Sequence, residues 1–187
     1  MHLAGIEPVL LSELDPKSSA SASSAIGAAI LLNNNCLFVS RKFIMLNMKK
    51  IIFVCHGNIC RSVAAEYIMK KLTKDFIITS RATSFEEIDN DIYPPMKRVL
   101  QEHDIPFDRH YASRIDYDDY QSADYIFYMD DENYYSLNRM FPNSNKILPI
   151  YNYSDDIKEI EDPWYTGRFD LVYRQIAQCI KDIINNI

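Results

Sequence analysis

Ile51-Ile52-Phe53-Val54-Cys55-His56-Gly57-Asn58-Ile59-Cys60-Arg61-Ser62 carries a short apolar strand into a polar loop, and a periodic helix starts where the loop ends. That order suits a loop wrapped around one phosphate. The strand aims the loop, and the helix N-terminus adds free N–H groups and the positive end of a dipole. Successive loop N–H groups can close into an anion nest. Arg61 can return across the loop and hold two phosphate oxygens with its planar fork. Cys55, at the loop entrance, then sits in a field that favours the thiolate, the nucleophilic form of a cysteine. The stretch reads as a nucleophile aimed at a bound phosphoryl group.

Blander readings fit less well. A zinc site built on Cys55 and Cys60 would need a second Cys or His pair nearby, which the sequence lacks. Gly57 and Asn58 are the residue types that most readily take positive φ, which an ordinary strand–loop–helix does not need.

Outward from this stretch, strands and helices alternate. Ala65, Ile68, Met69 and Leu72 keep helical spacing and predict a helix over about 62–73. Phe76–Thr79 reads as a second strand. Pro94-Pro95 opens another helix, with Met96, Val99 and Leu100 on its buried face. Asp124–Met129 reads as a third strand, followed by a helix over about 131–140 with Tyr134, Leu137 and Phe141 inward. Lys146–Pro149 is a short fourth strand. The last helix is the clearest, with Phe169, Val172, Tyr173, Ile176, Ile180, Ile183, Ile184 and Ile187 at helical spacing. Such alternation predicts an α/β fold, a three-layer sandwich whose parallel sheet is covered on both faces.

The chain has 187 residues and a formal charge of −6. Its length suits one domain, and its apolar content marks a globular protein. Residues 1–47 balance Lys17, Arg41 and Lys42 against Glu7, Glu13 and Asp15, so the whole imbalance lies further on. An acidic domain is a poor partner for nucleic acid, whose affinity comes largely from Lys and Arg on phosphates. Four cysteines, two of them in one loop, do not make a disulfide framework, and a reactive thiolate suits a reducing compartment. The cytosol is the expected location. The apolar run Ala25–Leu32 is far shorter than the about 20 residues of a bilayer span, so no membrane partner is expected. A secretory signal would need a basic region ahead of that run, and acidic residues outnumber Lys17 there. Residues 1–47 read as a disordered extension, or as upstream sequence from too early a start, with the domain beginning at Met48.

Cys55-His56-Gly57-Asn58-Ile59-Cys60-Arg61-Ser62 resembles the signature of the low-molecular-weight protein tyrosine phosphatases, Cys-x-Gly-Asn-x-Cys-Arg-Ser. Glu161-Asp162-Pro163-Trp164-Tyr165 is similar to that family's Asp-Pro-aromatic-aromatic segment. Ser80–Ser84, Arg109–Ala112 and Ala123–Asp130 fall in the family's order, and the resemblance covers 48–187. It implies a four-stranded parallel sheet in order 2-1-3-4, with the phosphate loop leaving strand 1 beside the switch point. It also implies phosphotyrosine-protein substrates, inhibition by inorganic phosphate or vanadate, and no cofactor or metal. Cys55 is then the nucleophile, Arg61 the phosphate ligand and Asp162 the general acid. Ser62 either hydrogen-bonds the thiolate or merely caps the helix. Asn58 holds the loop, Ser80 and His110 buttress it, and Trp164 and Tyr165 wall a slot for an aromatic leaving group. Cys60 either traps oxidised Cys55 as a disulfide or only packs beneath the loop.

Some positions depart from the family. His56 occupies a variable place at the rim. Glu86 stands where relatives place an aromatic wall, which disfavours acidic peptides, and Asp89 where they have glycine. Val63 replaces a frequent proline. Three other functions fit the sequence less well. Arsenate reductases share the loop but relay electrons through two more cysteines, and residues 81–145 contain none. Protein arginine phosphatases carry threonine where Ile59 stands. An inactive phosphate-binding module would be expected to lose Cys55, Arg61 or Asp162.

Overall fold

The computed structural model describes residues 48–187, so the expectations for residues 1–47 lie outside the described residues. The elements run β1 (Lys50–Cys55), α1 (Arg61–Leu72), β2 (Ile77–Ala82), α2 (Pro94–Glu102), α3 (Tyr117–Ser122), β3 (Tyr125–Tyr128), α4 (Asp131–Met140), β4 (Ile147–Pro149), α5 (Pro163–Thr166) and α6 (Phe169–Asn186). The four strands form one sheet in the order β2-β1-β3-β4, every neighbouring pair parallel. This is the architecture expected from the sequence.

The central strand β1 explains the layering. Side chains alternate across a strand. Ile51 and Phe53 therefore join a core with α1, α2 and α6 on one face of the sheet. Ile52 and Val54 join a second core on the other face, with Ile115, Ala123, Leu137 and Phe141. Burial on both faces is why β1 reads as an unbroken apolar run. The loop that carries Cys55 leaves its C-terminal end, beside the point where the order turns from β2 to β3.

Three local expectations differ. β2 runs three residues beyond Thr79 because it pairs with β1 as far as Ala82, which carries the polar Ser80 up beside the loop that follows β1. In α4 the inward residues are Asn133 and Leu137, whereas Tyr134 stands partly exposed. The helix start is set by Asp130, whose carboxylate accepts from the Asn133 N–H at 2.7 Å, and Tyr134 lies off the core face with its ring against Tyr128. The short helix α3 carries no apolar periodicity. It is held by the Asp116 cap on Asp119 N–H and by the paired hydrogen bonds of Arg81 to the Asp119 carboxylate.

Candidate active site

The loop from Cys55 to Arg61 is pinned at one buried amide. Asn58 has φ of +59°, in the left-handed region where asparagine is among the few tolerated side chains. Its Nδ2 donates to Ser62 Oγ at 2.9 Å and to Ser80 Oγ at 2.8 Å. Its Oδ1 accepts from the Ser113 N–H at 3.2 Å and from His110 Nε2 at 3.1 Å. Both donors and both acceptor positions of the amide are filled. Ser80 Oγ in turn donates to Glu66 at 2.5 Å. Asn58→Ala is expected to destabilise the fold by about 2–4 kcal/mol, because it orphans several buried groups and forces alanine into positive φ. Urea unfolding checks this: the midpoint falls with an unchanged slope, and Asn58→Gly, which relieves only the φ strain, recovers the smaller part of the loss.

The same amide sets the direction of a hydrogen-bond chain that ends on sulfur. Ser62 Oγ receives a proton donor from Asn58, so its own hydrogen is free to point at Cys55 Sγ, 3.0 Å away. The Asn58 backbone N–H also donates to that sulfur, at 3.3 Å. Two donors therefore converge on Sγ and stabilise negative charge there. Ser62 lies inside α1 while the helix cap falls at Cys60, which makes no side-chain cap, so capping is not the role of Ser62. Burial, followed by the nearby Cys55 and Asp162, pushes the Cys60 thiol far up, so the second cysteine stays protonated. Cys60 packs with Ile59 and Ala112.

Gly57 earns its place by close approach rather than by backbone freedom, since its φ is not positive. A Cβ there would come within 2.9 Å of the Glu87 side chain. Positive φ falls instead at Asp89, at +64°, the position where the family pattern has glycine.

Arg61 is almost wholly buried beneath the loop. One guanidinium nitrogen bonds the Asp130 carboxylate and the Ile160 carbonyl, and the other bonds the Asp162 carboxylate. Burial alone would lower its pKa, but Cys55, Asp130 and Asp162 together raise it, so the charge is secure. Asp130 sits just beyond β3, beside the strand that feeds the loop. Asp162 precedes Pro163 at the start of α5 and accepts from the Trp164 N–H at 3.0 Å. Gly167, at φ +70°, ends that turn of helix.

His110 completes the rear of the loop. Its Nε2 faces the Asn58 carbonyl at 2.9 Å, and a carbonyl only accepts, so Nε2 carries the hydrogen. Burial lowers its pKa, which favours the neutral ring. Its backbone N–H is held at 3.0 Å by Asp91, which also accepts from Ile92 N–H and pairs with Lys97. Burial would raise the Asp91 pKa, but the Lys97 and backbone hydrogen bonds bring it down to about 2. A carboxylate depressed on folding stabilises the protein above its unfolded value and loses that contribution as pH falls through its folded value. Acid unfolding should therefore steepen between pH 3.8 and about 2, and Asp91→Asn should flatten that limb in a denaturant series.

Cys55, Arg61 and Asp162 line one cavity of about 150 Å³, together with His56, Gly57, Ile59, Cys60, Glu86, Glu87, Trp164 and Tyr165. Trp164 packs at a tilt against Tyr93, with ring centroids 4.7 Å apart and 49° between their planes. Of the loop residues expected from the sequence, Cys55, His56, Gly57, Ile59, Cys60 and Arg61 line the cavity. Asn58 and Ser62 do not, and Asn58 ties Ser62, Ser80 and His110 together. Asp130, Glu66, Glu87 and Tyr93 were not assigned a role by the sequence reading. Of these, only Asp130 offered a signal, a carboxylate at the C-terminal end of the strand next to β1.

A family model described as low molecular weight phosphotyrosine protein phosphatase matches residues 50–187. The chain belongs to that family. Its curated relatives include the low molecular weight protein-tyrosine-phosphatase PtpA of Staphylococcus saprophyticus, 33% identical over 147 residues, spanning 75% of this chain and 94% of the relative. The human low molecular weight phosphotyrosine protein phosphatase is 36% identical over 152 residues, spanning 71% of this chain and 92% of the relative. Among solved structures, SP-PTP of Streptococcus pyogenes, titled a low molecular weight protein tyrosine phosphatase, superposes with a TM-score of 0.70 at 33% identity, covering 75% of this chain and 93% of its own. An arginine phosphatase, YwlE of Geobacillus stearothermophilus, matches with a TM-score of 0.66 at 21% identity, a likeness of fold alone. Membership of the low-molecular-weight phosphatases gives context to a cavity that Cys55, Arg61 and Asp162 line together.

Proposed function

We propose that this phosphatase hydrolyses phosphotyrosine in proteins through a phosphocysteine intermediate on Cys55. The observation that carries the reading is the Cys55 sulfur, which receives two hydrogen-bond donors in a cavity shared with Arg61 and Asp162. The thiolate attacks phosphorus in line, the S–P bond forms and the P–O bond to the phenol breaks. Asp162 gives its proton to the departing oxygen, so the leaving group is a neutral phenol. Water then attacks phosphorus, Asp162 takes up its proton, the S–P bond breaks and phosphate leaves. Loop N–H groups and Arg61 stabilise the charge on the equatorial oxygens.

The ion pairs of Arg61 bear on the timing of these steps. In the structure its guanidinium is shared by Asp130 and Asp162. An entering phosphate dianion competes with Asp162 for that guanidinium. Once displaced, the Asp162 carboxyl is free to turn toward the leaving oxygen. Asp130 keeps the arginine in place meanwhile.

Trp164 and Tyr165 on one side of the cavity suit an aromatic ring. Ile59 in its lining offers no hydroxyl to a guanidinium leaving group, which speaks for phosphotyrosine over phosphoarginine. Inorganic phosphate and vanadate are the expected inhibitors. No helix among the described residues is long and apolar enough to cross a membrane. The cytosol, which keeps thiols reduced, is the compartment this reading assigns. Peptides that differ only in carrying phosphotyrosine, phosphoserine or phosphoarginine test the function. The expected result is phosphotyrosine far ahead in kcat/KM; equal or faster phosphoarginine turnover would overturn it.

A further inference from the structure

We propose that the mouth of the cavity is a subsite for a positively charged residue flanking the phosphotyrosine, an inference that rests on the phosphotyrosine reading above. Glu86 and Glu87 give the cavity an acidic lip, and the exposed Trp164 and Tyr165 rings line the same cavity.

The acidic lip arises from the way the segment after β2 is folded. The Thr83 and Ser84 N–H groups both donate to the His56 carbonyl at 3.1 Å, which fixes the segment to the phosphate loop. The aromatic residue available here, Phe85, turns away. Its ring lies under the Arg114 guanidinium at 4.4 Å and does not line the cavity. The two glutamates face the opening in its place. Glu87 lies against Gly57, where any Cβ would displace it, and its Oε2 accepts from Asn90 Nδ2 at 2.7 Å. It forms no ion pair among the described residues, and Glu86 meets only His56, at 2.9 Å.

The remaining charges around the opening do not offset this. Among the described residues, His56 and Arg61 are the only basic side chains lining the cavity. Arg61 lies at the floor and is already held by two carboxylates. A negative rim therefore stands above the site of a phosphate dianion, and a cation carried by the substrate relieves that repulsion. The two rings favour the same charge, since exposed aromatic faces attract cations. Trp164 packs at a tilt against Tyr93, with ring centroids 4.7 Å apart. An arginine suits glutamates and rings at once, because its guanidinium can pair with a carboxylate and lie flat on a ring.

The test compares kcat/KM for three phosphotyrosine peptides identical except for flanking Arg, Ser or Asp. The expected order is Arg, then Ser, then Asp, with about a tenfold spread at low salt that shrinks as ionic strength rises. Glu86→Gln with Glu87→Gln should collapse most of the spread. Glu102→Gln removes the same charge at the far end of α2 and should leave it in place. The single change Glu86→Gln, at an exposed side chain, should give part of the collapse and serves if the double variant folds poorly. A spread untouched by the rim changes, or moved equally by Glu102→Gln, overturns the subsite. Three peptides turned over equally would also sink it while leaving the phosphatase reading intact. Failure of all three peptides would instead sink that reading.

Discussion

Cys55→Ser is expected to lower turnover of an aryl phosphate by roughly 10⁵–10⁶-fold, the scale on which an enzyme loses its covalent nucleophile. At about 1.4 kcal/mol per decade this amounts to about 7–8 kcal/mol of barrier. A serine hydroxyl in this place stays protonated, although it can still meet Ser62 Oγ and the Asn58 N–H that now serve the sulfur. The loop, Arg61 and the Asn58 amide contacts are unchanged, so inorganic phosphate should bind the variant with nearly the affinity of the parent. Calorimetric titration with phosphate and a single-turnover assay together make the check. Retained turnover would sink the covalent mechanism. Loss of phosphate binding as well would mean that the substitution had collapsed the loop rather than removed a nucleophile.

Asp162→Ala should slow phosphotyrosine hydrolysis by about 10²–10⁴-fold, the usual worth of a positioned general acid. The penalty should shrink for aryl phosphates whose phenols leave readily without a proton. Plotting single-turnover phosphocysteine formation against leaving-group pKa gives two lines that diverge toward the poorer leaving groups. Parallel lines would assign Asp162 to scaffolding, a reading its ion pair with Arg61 makes concrete. The same substitution removes an internal competitor for that arginine, so phosphate should bind the variant at least as tightly as the parent. Weaker phosphate binding is the signature of the scaffold alternative.

The legible parts of this molecule are those whose cause is local. β1 could be read because burial on both faces demands an unbroken apolar run, and α6 because one buried face repeats over its length. The nucleophile, arginine and serine could be read because a phosphate loop is contiguous in sequence. What escaped is held by partners remote in the chain. The polar end of β2 is a strand only because β1 lies beside it. Glu66 acts through Ser80 and shows no pattern of its own, and Asp130, which acts through Arg61, shows only its place at a strand end. Gly57 was expected to supply positive φ, and the fold uses its missing Cβ instead.

The saturated amide of Asn58 has a consequence for the order in which the protein matures. Its partners lie 22, 52 and 55 positions away, at Ser80, His110 and Ser113. No nascent fragment ending before Ser113 can hold the loop in its working shape, however well β1 and α1 form by themselves. Until those late-arriving segments dock, the amide that orients the donors on the Cys55 sulfur is itself not held. Any selective alkylation of Cys55 is therefore expected only in the finished fold, and it should be lost in the same cooperative step as the tertiary structure.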